Sequence, residues 1–204
     1  MKIITIGREF GSGGREVGKR LADLLGIAYY DREIIAEIAK QSELDERYVE
    51  HVLESGMPSG SFLTFGQTLA SATLVTSHPA ASVLAAQRRV IRRLAEQDCV
   101  IVGRCADLIL QDLDPFKIFV YADDRSKLQR CRSRAPEDKG LTDKQLLKKI
   151  RKIDKGRKKL HGLYLGKVWG EREGYNLCVN TSGTVIKEIV PCIASYVEHW
   201  FENK

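Results

Sequence analysis

Apolar residues fall into short blocks separated by glycine-rich or strongly charged stretches, and their period changes from block to block. Residues 2–6 (KIITI) are mostly β-branched and stop at Gly7, which predicts a short buried strand. A turn over Gly7 to Gly14 follows. Val17, Leu21, Leu24 and Leu25 then recur at helical spacing across 15–25, with Gly26 where a C-terminal cap belongs. Residues 27–30 predict a second strand, and 33–41 and 44–54 two helices, with Ser42 as a possible N-cap of the second. A helix starts at Pro79 and runs to about Gln97. Further strands are predicted at 98–102, 117–121 and 175–179. Basic helices are predicted at about 124–134 and 142–160, split by a Pro136/Gly140 break, and an amphipathic closing helix at 184–202.

Strands thus alternate with helices. Parallel neighbours need crossover connections, so the order predicts an α/β fold with a parallel sheet covered by helices on both faces. The strands at 2–6, 99–102 and 117–121 are apolar throughout, as doubly covered strands are. Residues 55–78 differ, with Gly56, Pro58, Gly60 and Gly66 among Ser and Thr. They read as an excursion rather than a linker, because the chain before them cannot close a core alone. One domain over 1–204 is therefore expected.

Composition narrows the function classes only slightly. The excess of Lys and Arg over Asp and Glu is six (33 against 27), which suits a phosphate-bearing partner but also many ordinary proteins. No apolar run approaches the roughly 20 residues of a membrane span, and the N-terminal apolar stretch is too short for a signal peptide. The five cysteines form no C-x-x-C pair, so a disulfide framework or zinc site is not expected and a reducing, cytoplasmic setting is. His51, His78, His161 and His199 are scattered and read as ordinary surface or boundary residues.

The strongest chemical signal is the turn Gly7-Arg8-Glu9-Phe10-Gly11-Ser12-Gly13-Gly14-Arg15. Between a strand and a helix, such a turn offers backbone N–H groups and a helix N-terminus to an anion. The common phosphate-binding form reads G-S-G-K-S-T-x-x-A-K-x-L-A. Gly11, Ser12, Gly13, Val17, Lys19, Leu21 and Ala22 fall into its register. Its lysine then corresponds to Gly14, and its Ser/Thr positions to Arg15 and Glu16. The missing cation is expected from Arg15 or Arg8, since guanidinium suits phosphate. Glu16 either holds Mg²⁺ through water or only favours the helix N-terminus by its charge.

With these residues the sequence resembles the nucleoside monophosphate kinases, and among them the cytidylate kinase-like group. The opening Gly7 to Glu16 carries the resemblance. So do Val100-Ile101-Val102-Gly103-Arg104-Cys105-Ala106-Asp107, Asp114 to Ala122, the Arg151-x-x-Asp154-x-x-Arg157 pattern, and Tyr175 to Thr181. The resemblance implies a P-loop NTPase-type three-layer fold with a central parallel sheet and a helical lid at about 125–160. It also implies ATP with Mg²⁺ as donor and a nucleoside monophosphate or other small phosphate acceptor. Two departures stand out: the lysine is replaced, and the aspartate of the G-R-D segment is Cys105, with Asp107 two residues on.

Other candidates follow. Arg104 ends a buried strand, where it either meets a ligand or caps a loop. Asp31 also ends a strand and is either an acceptor contact or an N-cap. Arg88 shares a helix with Arg89, Arg92 and Arg93, and one face of it could meet an acceptor phosphate, although solvation accounts for most of the four. Residues 125–159 hold fifteen Lys and Arg and no aromatic residue. That favours a lid closing over phosphates and disfavours nucleic acid, which calls for stacking platforms. Arg151 and Arg157 lie about 240° apart around a straight helix, so joint action requires a bend near Gly156, with Asp154 orienting one of them. Tyr164 and Trp169 are expected to pack the return of this segment onto the sheet.

Overall fold

The structure, a computed structural model, describes residues 1–55, 79–134, 140–164 and 168–204. The 55–78 excursion, His78 and Pro136 lie wholly or almost wholly outside those residues. Five parallel strands make one sheet: β1 (Ile3–Arg8), β2 (Ala28–Tyr30), β3 (Cys99–Val102), β4 (Phe116–Tyr121) and β5 (Leu177–Asn180), in the order β2-β3-β1-β4-β5. Ile4 stands opposite Val100 on one side and Phe116 on the other.

Because side chains alternate across a strand, each strand feeds both faces. Ile3, Cys99 and Ile101 point to one face. There they pack with α2 (Glu33–Ser42), α3 (Glu46–Ser55), α4 (Pro79–Leu94) and the short α5 (Ala106–Ile109). Ile4, Ile6, Val100, Val102 and Ile118 point to the other, against α1 (Gly14–Leu25) and the closing α8 (Ile186–Glu202). Each fully buried Ile contributes about 1.5–3 kcal/mol, so the two faces together specify the sheet's register. Phe116 lies edge-on to Trp200 at 5.1 Å, which seats α8 on the sheet.

The basic helices α6 (Asp124–Arg134) and α7 (Asp143–His161) flank these layers, α7 packing on α3 and sending Leu160 into the first core. α7 opens with a capping box: the Thr142 hydroxyl accepts from the Gln145 N–H and the Gln145 side chain accepts from the Thr142 N–H. It continues without interruption through Gly156, so the expected bend there does not occur. Two other local expectations are corrected. Ser42 ends α2, its hydroxyl donating to the Ile38 carbonyl at 2.8 Å, and the Asp45 carboxylate instead accepts the Arg47 N–H at the start of α3. β5 begins at Leu177, and Tyr175 before it packs tilted against Phe119, at 4.9 Å. Trp169 also meets Phe119, edge-on at 5.2 Å, which packs the chain after α7 onto β4.

Candidate active site

The carboxyl ends of β1 and β3 carry Arg8 and Arg104 into one crevice, where the strand order reverses and α/β folds bind ligands, and Asp31, just past β2, stands beside Arg8. Beside it, residues 9–13 turn from β1 into α1. The Glu9 N–H donates to the Val120 carbonyl at 3.0 Å, and the Ser12 hydroxyl donates to the Glu9 carbonyl at 2.8 Å. Gly11 and Gly13 adopt φ of +77° and +85°, a region that side chains disfavour. Gly13 is the N-cap and offers no side chain to the first turn of α1, whose N–H groups therefore face outward uncapped.

Both basic helices grip this turn. From α6, Lys127 pairs with Glu9 at 2.6 Å, and Arg130 reaches the Thr181 carbonyl at 2.5 Å and the Ser12 carbonyl at 3.4 Å. From α7, the Asp154 carboxylate accepts the Phe10 N–H at 2.7 Å. Arg157 donates to the Arg8 carbonyl at 3.1 Å and lies 5.6 Å over the Phe10 ring.

Arg8, Arg104 and Arg157 line the crevice together with Glu54, Asp107 and His161. Burial pushes the Arg8 pKa down to about 9, and the Arg157 and Arg104 charges push it the same way. Burial also lowers Arg104 and Arg157, with the nearby Glu54 and Asp31 or Asp154 charges opposing it. Buried Arg104 Nε finds no hydrogen-bond partner among the described residues. Gly103, Arg104 and Cys105 all take positive φ, and Gln87 holds the Arg104 carbonyl at 2.5 Å, so the turn after β3 aims this arginine firmly. Asp31 is the nearest balancing charge, 3.7 Å from Arg8. Gathered buried cations of this kind can hold an anion with charge spread over several oxygens.

The structure places the other expected residues as follows. Arg15 is half-exposed and pairs with Asp31. Asp31 is not the N-cap of α2, because Arg32 occupies that position without a capping bond. Glu16 is bound to Arg20 at 2.9 Å and to Arg134, which hold its carboxyl below the usual range against the burial that raises it. Among the described residues no group of three His, Cys, Asp or Glu gathers at one point. Arg88 is exposed on α4 and does not line the crevice. Arg157 and Asp154 face the turn, whereas Arg151 points outward to Asp124 at 2.8 Å, the consequence of a straight helix.

Three contacts were not legible from the sequence. His161 is buried and bonded to Asp107 at 2.9 Å, so it is not a surface residue. Lys127 and Arg130 grip the turn from a helix whose charges repeat too densely to single any out. His161 also gave no signal, since its partner lies 54 positions away.

The fold is that of the P-loop kinases. A model of the cytidylate kinase-like family matches residues 3–183, and the chain belongs to that family. Among solved structures it is similar to an uncharacterized protein from Eubacterium ventriosum, with 28% identity, 97% of this chain and 99% of that one covered, and a TM-score of 0.68. Shikimate kinases share the fold at lower identity. The enzyme from Bacteroides thetaiotaomicron is 15% identical, with 98% of each chain covered and a TM-score of 0.56. That from Acinetobacter baumannii, solved with shikimate, is 18% identical, with 100% and 94% covered and a TM-score of 0.53. No curated protein matches the chain significantly.

Proposed function

We propose that the protein is a phosphotransferase that moves the γ-phosphoryl group of Mg·ATP to a nucleoside monophosphate or another small phosphorylated acceptor. The observation that carries this reading is the convergence of Arg8, Arg104 and Arg157 beside the glycine-rich turn. An acceptor phosphate oxygen would attack the γ-phosphorus in line as the bond to the β–γ bridging oxygen breaks and ADP departs. Such a transfer asks little covalent chemistry of the protein and much positioning and charge neutralisation. The acceptor oxygen is already anionic, so no general base is required. The turn amides and Arg8 would hold the donor, Arg157 would meet the transferred group from α7, and Arg104 with Asp31 would face the acceptor. Mg²⁺ arrives with ATP as part of the substrate.

The test is acceptor-dependent ADP release from Mg·ATP across a panel of nucleoside monophosphates, with shikimate, the ligand of a fold neighbour, as a further arm. Turnover with a monophosphate is expected. Turnover with shikimate alone would replace the acceptor class. Gly14 at the lysine position favours a second reading, a nucleotide-binding protein of weak turnover. Saturable ATP binding without transfer to any acceptor selects it.

A further inference from the structure

The signature G-x-x-x-x-G-K places one glycine six residues before its lysine and another one residue before it. With Gly14 at the lysine position, Gly13 takes the second glycine and Arg8 the first. The cation and the glycine have exchanged places in the sequence, and in space the two exchanged residues touch. A Cβ built on Gly14 would stand 2.5 Å from Arg8 Cβ and 3.0 Å from Arg8 Cγ, with Val120 Cβ next at 3.3 Å. Those are atoms of the rigid stem of Arg8, next to the strand backbone, so no side chain fits at position 14 while an arginine stands at position 8. The far end of Arg8 lies against Gly103, in space that a side chain there would share. A Cβ on Gly103 would fall inside the van der Waals radius of Arg8 Nη1.

We propose that Arg8 is the phosphate-binding cation of this site, transposed from the usual lysine position, and that Gly14 and Gly103 are the vacancies that admit it. Arg15, the other candidate, is half-exposed and committed to Asp31, whereas Arg8 is nearly buried, faces the crevice and has Asp31 only at 3.7 Å. A guanidinium entering from the strand end presents a planar fork of donors that matches phosphate oxygens in geometry, where an ammonium acts as a point charge. The proposal deepens the phosphotransferase reading and rests on it for the nucleotide, but not for the anion.

The experiment measures affinity for Mg·ATP and for inorganic pyrophosphate by calorimetry, with thermal melting to verify folding. Arg8→Met keeps the stem and removes the charge, so it should weaken both ligands roughly ten- to a hundredfold, the loss of one charge-assisted contact. Arg15→Met should stay within about threefold of wild type. Gly14→Lys alone should lose affinity or folding. The double variant Arg8→Gly/Gly14→Lys removes both clashing stem atoms and re-creates the common arrangement, so it should bind at least tenfold tighter than Arg8→Gly. If the double variant fails to fold, Arg8→Lys serves in its place and should bind between wild type and Arg8→Met. Wild-type affinity in Arg8→Met, or a folded double variant no better than Arg8→Gly, overturns the assignment and leaves the phosphotransferase reading standing. Pyrophosphate binding that depends on Arg8, in a protein indifferent to Mg·ATP, keeps the assignment and overturns the nucleotide reading. A wild-type protein that binds neither ligand overturns both.

Discussion

Replacing Asp154 by alanine separates the turn from α7. Its carboxylate is mostly buried, accepts the Phe10 N–H at 2.7 Å and stands 3.3 Å from Arg157. Asp154→Ala orphans the Phe10 N–H, at about 1–3 kcal/mol. It also strips the only carboxylate bonded to Arg157 among the described residues, and breaking a buried pair costs about 3–5 kcal/mol. The long 3.3 Å spacing, and the Arg8 carbonyl that still accepts from Arg157 at 3.1 Å, hold the sum to about 4 kcal/mol. At about 2–4 °C per kcal/mol for a chain of this size, the melting temperature should drop by roughly 8–16 °C. Asp154→Ala/Arg157→Met removes both charges together and should restore at least half the loss, since replacing both partners of a buried pair by apolar groups is close to neutral. Urea titration at pH 7.5 with an unchanged m-value reads both variants. A single variant that loses less than about 1 kcal/mol, or a double variant less stable than the single, would refute the claim that this carboxylate binds the turn to the helix.

Arg8→Met should raise the stability of the ligand-free protein at pH 7 by a few kcal/mol, because the buried guanidinium must carry its charge there. The folded pKa, about 9, lies below the ordinary 12.5, so the folded state binds fewer protons above pH 9. The wild-type deficit should therefore be full below pH 9 and shrink as pH rises beyond it, as seen by urea titration from pH 7 to 10.5. Gly18→Val should cost about 1–3 kcal/mol in the same titration, since a Cβ at Gly18 would already stand 2.8 Å from Val102 Cγ2 and 3.1 Å from Ile6 Cδ1. His161→Ala should cost about 1–3 kcal/mol by leaving the Asp107 carboxylate buried without its partner, whereas His199→Ala, on an exposed side chain, should leave stability unchanged.

Much of the sheet was legible because its strands are short, apolar and bounded by glycine or charge, a signal that needs no distant partner. The glycine-rich turn was equally local: Gly11 to Gly14 sit between a strand and a helix within the same stretch of chain. What the sequence left open depends on contacts across the fold. Whether Arg8 or Arg15 enters the crevice is decided by Gly103, in the turn after β3, and by Asp31 drawing Arg15 away. Ser42 and Asp45 are both good N-caps by type, and the end of α2 chose between them. The faces of α7 followed from helical geometry, but not which one turns inward: Phe10 and the Arg8 carbonyl select Arg157 and leave Arg151 to Asp124. Glycine at position 156 suggested a bend, yet it is buried inside a helix that tertiary packing keeps straight.

The grip of α6 and α7 on the turn has a kinetic consequence. Any outward swing of α7 must first pull the Phe10 N–H from Asp154 and the Arg8 carbonyl from Arg157, and a swing of α6 must part Lys127 from Glu9. The wall of the crevice and the turn at its floor are thus joined by these contacts. A swing of either helix therefore leaves the turn short of these partners until the helix returns.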